Sequence, residues 1–343
     1  MAEPAKPLIC LLASAETSPS VLYGLYDVLY SVGAVFPDMT VGEAGAEALD
    51  VRIVAAEAAP FRVIGNVPVE PHAAVADIPA ADAVVVCDMY TPIHEPPRGK
   101  YPREIDWLRR MHGAGALVTS VCSGSVVLAE TGLLDGREAA CHWAYGDLFR
   151  RFYPRVRLVE NAVVCLSGEA DRIVTAGGVT AWMDLAVYLI ARFCGQQSAI
   201  ETAKVFLLAG HEEGQLPFAA MGRRVDGADA VIAECQDWIA RHYEAPNPVQ
   251  AMIERSGLNP RTFARRFRAA TGYQPIDYVQ ALRIEEAKQM LETEGAGIEE
   301  VAAQVGYEDP ASFRRVFKRR AGLTPAAYRR KFQRIVGLTQ RAS

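Results

Sequence analysis

The last hundred residues of this chain spell the same unit twice, and that repeat constrains the fold more than any other feature. Phe263, Phe267, Gly272, Pro275 and Tyr278 recur as Phe313, Phe317, Gly322, Pro325 and Tyr328, each fifty positions on. Gly257 and Gly306 also correspond, with one residue's slip. In each copy a short helix, 249–256 and then 298–305, runs to a glycine turn. A second helix opens at Pro260 or Pro310, where proline suits the first turn because its missing N–H is unpaired there anyway. Phenylalanines at i and i+4 share one face of that helix and anchor it in a core. The opposite face carries Arg261, Arg265 and Arg268 in the first copy. In the second it carries Arg314, Arg315 and Lys318, with Arg319 and Arg320 nearby. A helix, a tight turn and a basic second helix make a helix-turn-helix unit suited to a major groove.

The net charge of −5 hides a division that fits this reading. Residues 245–343 hold 17 Lys and Arg against 10 Asp and Glu, whereas residues 1–244 hold 19 against 31. Two ends of opposite sign imply two jobs, a basic domain facing a polyanion and an acidic domain that senses or catalyses. With 343 residues, half of them apolar, each domain can bury its own core. The seven cysteines are scattered, with neither metal-ligand spacing nor a disulfide framework. No stretch has the length of a membrane span, and the apolar run 8–13 is too short for a signal sequence. A cytoplasmic, reducing setting is expected, with no metal and no cofactor.

Short apolar runs at 8–12, 51–55, 83–87, 117–121, 163–166 and 173–176 alternate with helical patterns at 20–32, 103–113, 123–131, 143–153 and 180–193. Strands alternating with helices predict an α/β domain with a doubly wound, mostly parallel sheet. From about residue 226 onward the patterns are helical throughout. The expected domains are residues 1–210, a linker at 211–227 rich in glycine and charge, and an all-α domain with two helix-turn-helix units at 228–343.

The segment GYEDPASFRRVFKRRAGLTPAAYRRKF resembles the signature of AraC/XylS regulators, and SGLNPRTFARRFRAATGYQP resembles their first unit. The resemblance covers about residues 231–332. It implies a long helix joining the two units, here about 276–292, and double-stranded promoter DNA and RNA polymerase as partners. Arg261, Arg265, Arg314 and Arg315 are the candidates for base edges, and Lys318, Arg319 and Arg320 for phosphates.

In the N-terminal half, GALVTSVCSGSVVLAETGLL reads as strand, sharp turn and helix, with Cys122 at the turn and Ser123, Gly124 and Ser125 after it. Small neighbours let a side chain project from a strained turn. Amides and dipole at a helix start would lower a thiol pKa there. A buried core cysteine just past a strand gives the same pattern. Twenty residues on stands His142, in AACHW. Together with VTAGGVTAWMDLAV and GLYDVLYSVG, the pair resembles the class I glutamine amidotransferase-like superfamily, in its PfpI and Parkinson-associated deglycase branch. The resemblance spans about residues 8–195 and implies a flavodoxin-like fold. EEGQLPF, at 212–218, is similar to the join of AraC regulators that carry this domain. Enzymes of the branch place an acid on the first strand-to-helix connection. Aligning Asp27 with the family's helix aspartate puts Val21 at that place, and valine moves no proton. Glu16 is the nearest carboxylate, reached only by shifting the alignment.

Three functions follow. One is a transcription regulator whose N-terminal domain pairs into a homodimer and senses a small molecule. The second is a cysteine enzyme of hydratase, amidase or deglycase type fused to a DNA-binding domain. The third is a redox sensor acting through Cys122 oxidation. For the sensor, Cys122, Ser123, His142, Trp143 and Trp182 are the candidate ligand contacts, with Cys122 and His142 a vestigial elbow. An effector carboxylate would sit on the amides after Cys122, and its amine against the aromatic faces. The resemblance implies amino-acid or betaine-like effectors. A carboxylate within reach of Cys122 would favour the enzyme. Core packing accounts for the tryptophans equally well.

Overall fold

The computed structural model describes residues 5–221, 229–293 and 295–340. The chain divides into two compact units, Met1–Gln215 and Leu216–Ser343. The division falls inside the stretch read as a linker, of which residues 222–227 lie outside the described residues.

In the first unit β1 (Leu8–Leu12) leads to α1 (Pro19–Tyr30), a short α2 (Val35–Val41) and β2 (Asp50–Ala55). A ribbon of β3 (Phe61–Val63) and β4 (Val67–Val69) precedes β5 (Ala73–Ala74) and β6 (Ala83–Val86). Then come α3 (Pro102–Gly113), β7 (Leu117–Val121), α4 (Gly124–Glu130) and β8 (Glu138–Ala139). After them come α5 (Gly146–Phe152), β9 (Arg157–Leu158), β10 (Val164–Ser167), β11 (Ile173–Ala176) and α6 (Trp182–Phe206). Seven strands form one sheet in the order β10-β11-β7-β6-β1-β2-β5. Its pairs are parallel except β10 with β11.

The strands are apolar on both faces because both faces are covered, and successive side chains point to opposite sides. Ile9, Leu11, Val85 and Val121 join one buried cluster with α1 and α6, while Cys10, Leu12, Val84, Val86 and Val118 join another with α3, α4 and α5. The chain winds outward from β1 in both directions. The strand order therefore reverses between β1 and β6, and their carboxyl ends open the crevice where α/β folds bind ligands. Two helix readings are corrected. The pattern at 143–153 opens as a 3-10 turn, Trp143–Tyr145, before α5 begins. The pattern at 180–193 continues past a break at Gly195 to Phe206.

The second unit is helical among its described residues. α7 (Ala230–Ile239), α8 (Pro248–Ser256) and α9 (Pro260–Thr271) precede the long α10 (Pro275–Thr293), followed by α11 (Ile298–Gln304), α12 (Pro310–Ala321) and α13 (Pro325–Gln340). The two copies fold alike. Asn259 caps α9 by accepting from the Thr262 N–H at 2.9 Å, and Asp309 caps α12 by accepting from Ala311 and Ser312. Gly272 and Gly322 close these helices at φ +78° and +72°, where a Cβ is strained. Arg283 of α10 ties the copies together. Its guanidinium donates to Tyr243 O (2.6 Å), Ala245 O (2.8 Å) and Gly306 O (2.8 Å).

Candidate functional site

Cys122 follows the last residue of β7 in a left-handed conformation, φ +55°, rare for a residue with a Cβ. The turn is tight enough that Gly124 is required. A Cβ there would stand 2.5 Å from Val86 O, at the end of the neighbouring strand β6, and 2.7 Å from Cys87 O just past it. The strand–elbow–helix expected from the sequence is thus present.

The carboxylate at this elbow is Asp88, two residues past β6, which the sequence reading did not single out. Ser123 donates its hydroxyl to Asp88 Oδ1 at 2.5 Å and its backbone N–H to the same oxygen at 3.2 Å. Burial pushes the Cys122 thiol well above its ordinary range. The Asp88 charge, the neighbouring Cys141 and a hydrogen bond to Asp88 push it the same way, against the Ser123 amide. A buried thiol beside a carboxylate keeps its proton. This reverses the expectation that the helix start would lower its pKa. Val21 is wholly buried in the apolar cluster that also holds Cys122. Glu16 is engaged elsewhere. It pairs with Lys100 Nζ at 2.8 Å and accepts from Ser14 Oγ and Tyr101 OH.

Cys141 is buried and donates its thiol to Cys122 O at 3.3 Å, so the AACHW loop lies on the elbow. His142 Nδ1 accepts from the Ala144 N–H at 3.2 Å, which leaves Nε2 as the protonated nitrogen of the neutral ring. Burial lowers the His142 pKa, against the pull of Asp88. Its ring lies 5.0 Å from that of half-buried Trp143 and 6.4 Å, edge-on, from that of Tyr145. Tyr145 donates to Thr91 O at 2.7 Å.

Three ligand assignments need correction. Trp182 is 9% exposed, packed against Gly24 of α1 within the buried cluster, so it is a core side chain. Ser123 is buried, and both its hydroxyl and its amide are spent on Asp88. An effector carboxylate on the amides after Cys122 would meet Asp88 already there. The elbow thus favours a cation or a hydrogen-bond donor over an anion. A groove of about 410 Å³ lies at the opposite ends of β1 and β2, bridged by Lys6 and Glu47, away from this chemistry.

In the helical unit Phe263, Phe267, Phe313 and Phe317 are fully buried. Arg261, Arg265 and Arg268 on α9, and Arg314, Arg315, Lys318 and Arg319 on α12, are exposed. The structure thus gives each second helix one buried aromatic face and one exposed basic face. Arg314 pairs with Glu299 at 3.2 Å, both side chains half or more exposed, a weak contact that a phosphate or base could replace. Arg319 reaches Gln280 at 3.0 Å. Arg320 departs from the expected role. Its side chain is 22% exposed and donates to Asp277 O and Oδ1, and burial lowers its pKa. It braces α12 against α10.

A flavodoxin-like domain with a nucleophile elbow, followed by a doubled helix-turn-helix, defines a class: AraC-type regulators carrying a DJ-1/PfpI domain. The chain has that make-up, since residues 39–192 match the model of the DJ-1/PfpI family and residues 252–331 that of a helix-turn-helix domain. It is 27% identical over 301 residues to the HTH-type transcriptional regulator CdhR of Pseudomonas aeruginosa, covering 86% of either chain. It is 29% identical over 217 residues to the HTH-type transcriptional regulator GlxA of Rhizobium meliloti, covering 62% of this chain and 64% of that one. Over 97 residues it is 37% identical to isonitrile hydratase of Pseudomonas putida, covering 28% of this chain and 39% of the enzyme.

Proposed function

We propose that the protein is a sequence-specific DNA-binding transcription regulator, acting in the cytoplasm as a homodimer paired through its α/β domain. The observation that carries this is the doubled unit, in which matched phenylalanines are buried and matched cations are exposed. The regulators it resembles along most of its length support it. The two basic helices enter successive major-groove turns, about 34 Å apart on one face of the duplex. The test is binding of the full chain to a promoter library at several salt concentrations. A folded protein with no salt-sensitive binding to any member overturns the reading.

The elbow serves as the effector site of this regulator. The Asp88 charge acts on His142, whose ring neighbours half-buried Trp143, a setting that suits an ammonium or quaternary amine. The effector class is accordingly an amine, and amino acids and betaines are its candidates through their ammonium or quaternary amine alone. Glycine betaine, carnitine and the common amino acids form the screening set. A hit raises the melting temperature and alters promoter affinity.

The enzyme reading has its own support in Asp88 beside Cys122 and in the likeness to isonitrile hydratase. Against it stands a thiol held protonated. Cys122→Ser separates the two. A regulator keeps its melting shift and its promoter response. Steady turnover abolished by the substitution identifies an enzyme.

A further inference from the structure

The stretch at the division between the units is held on both sides. In the α/β unit His211 donates its backbone N–H to Asp184 Oδ1 at 3.1 Å, its Nδ1 meets Asp184 Oδ2 at 2.6 Å, and its Nε2 lies 3.1 Å from Thr180 Oγ1. Four residues on, Gln215 is 5% exposed. Its Nε2 donates to Cys141 O at 3.0 Å and Ala162 O at 2.8 Å, and its backbone N–H to Asn161 O at 3.3 Å. The carboxamide lies where a Cβ on Gly177 would be, so the socket exists only because residue 177 is glycine. The Gln215 Oε1 is buried there without a hydrogen-bond partner. The next residue begins the other unit. Leu216–Phe218 form a 3-10 turn, and Phe218 lies edge-on to Phe332 with ring centroids 5.7 Å apart. Ala219 O accepts from Lys288 Nζ of α10 at 2.5 Å, and that lysine side chain is 7% exposed.

We infer that Gln215 couples the elbow to the DNA-binding unit; this rests on the reading of the elbow as the effector site. Cys141 is the shared part. Its thiol holds the Cys122 carbonyl, its carbonyl holds Gln215, and His142 follows it directly. An effector that moves His142 moves Cys141 O against Gln215 Nε2. The peptide bond to Leu216 carries the displacement into a turn bound to α10 and α13. The partnerless Oε1 is what makes this a latch and not a rivet. A buried acceptor left unpaired gains a partner on release, which narrows the gap between seated and released states that a ligand has to close.

Coupling between sites is reciprocal, so it can be read from the DNA-binding side without any ligand. Hydrogen exchange is followed by mass spectrometry on the full chain. Lys288→Met frees Ala219 O. It should speed exchange several-fold at residues 216–221 and also at 141–145. In the Gln215→Ala background the second effect should vanish, so that exchange at 141–145 is the same with or without Lys288→Met. Should Lys288→Met fail to fold, Phe218→Ala loosens the same turn from its other side. Unchanged exchange at 141–145 after either substitution overturns the inference, as does an undiminished response in the Gln215→Ala background. The effector reading stands or falls separately, on the melting screen and on turnover.

Discussion

At the residue scale, Asp88 sets what Cys122 can do. Replacing it with asparagine removes the charge while an amide oxygen can still accept from Ser123. The Cys122 pKa should fall, and each unit of fall multiplies the thiolate about tenfold at a pH below the pKa. Alkylation of Cys122 by iodoacetamide at pH 8, followed by peptide mass spectrometry, should therefore be faster in Asp88→Asn than in the parent. An equal rate would show that burial alone protects the thiol. His142 gives a second reading of the same elbow. Its folded pKa lies below its ordinary value, so the unfolded chain takes up the proton first as pH falls. Stability should decline below about pH 6.5 and level off once the folded state protonates too. His112, lowered by burial and by Arg172 and Arg137, adds to the same decline. His142→Gln should flatten part of the fall in melting temperature between pH 7 and pH 5.5, and His112→Gln a further part. A slope unchanged in the His142 variant would mean that the ring is solvated.

At the element scale, the two faces of α9 and α12 should separate under mutation. Phe317→Ala empties a fully buried site among Val301, Phe313 and Tyr328 and should cost about 3–5 kcal/mol, lowering the melting temperature along with DNA binding. Arg315→Ala removes an exposed cation. It should stay within about 0.5 kcal/mol of the parent stability while weakening DNA binding. A stability loss of similar size in both would mean that the basic face is packed and not free. These elements were legible because the repeat fixes them twice, with proline at each start, glycine at each end and the aromatic pair between. The sheet was legible for a related reason: strands buried on both faces read as unbroken apolar runs. What escaped the sequence lies in contacts across it. Asp88 sits in a short connection after β6, and only the adjacency of β6 and β7 brings it to Cys122. Arg320 looks like its basic neighbours until Asp277, 43 residues earlier, is seen to hold it. Gln215 reads as part of a linker because its partners, Cys141 and Ala162, are more than fifty residues back. The two-residue strands β5, β8 and β9 carry too little sequence to show a period.

At the scale of the whole molecule, charge and symmetry meet in the salt dependence of DNA binding. The acidic α/β domain repels the duplex, but beyond a Debye length of about 10 Å at 0.1 M salt that repulsion is largely screened. Phosphates neutralised at contact set the log–log slope, at about −0.9 each. Seven cations are exposed on α9 and α12. With Arg261, Arg265, Arg314 and Arg315 as the candidates for base edges, Arg268, Lys318 and Arg319 are left as candidates for phosphates. One chain on its site should therefore give a slope of about −3, and two chains about −5. A homodimer holds its second DNA-binding unit near the first at an effective concentration of order millimolar, so a promoter with two half-sites should be filled in one step. The measurement is a titration of the full chain against a two-half-site promoter from 50 to 300 mM salt, with sedimentation of the free protein at the same concentrations. A dimer that binds in one transition with the steeper slope supports pairing through the α/β domain. A monomer in sedimentation, two separate transitions and a slope near −3 for each would show that the chain reads DNA alone.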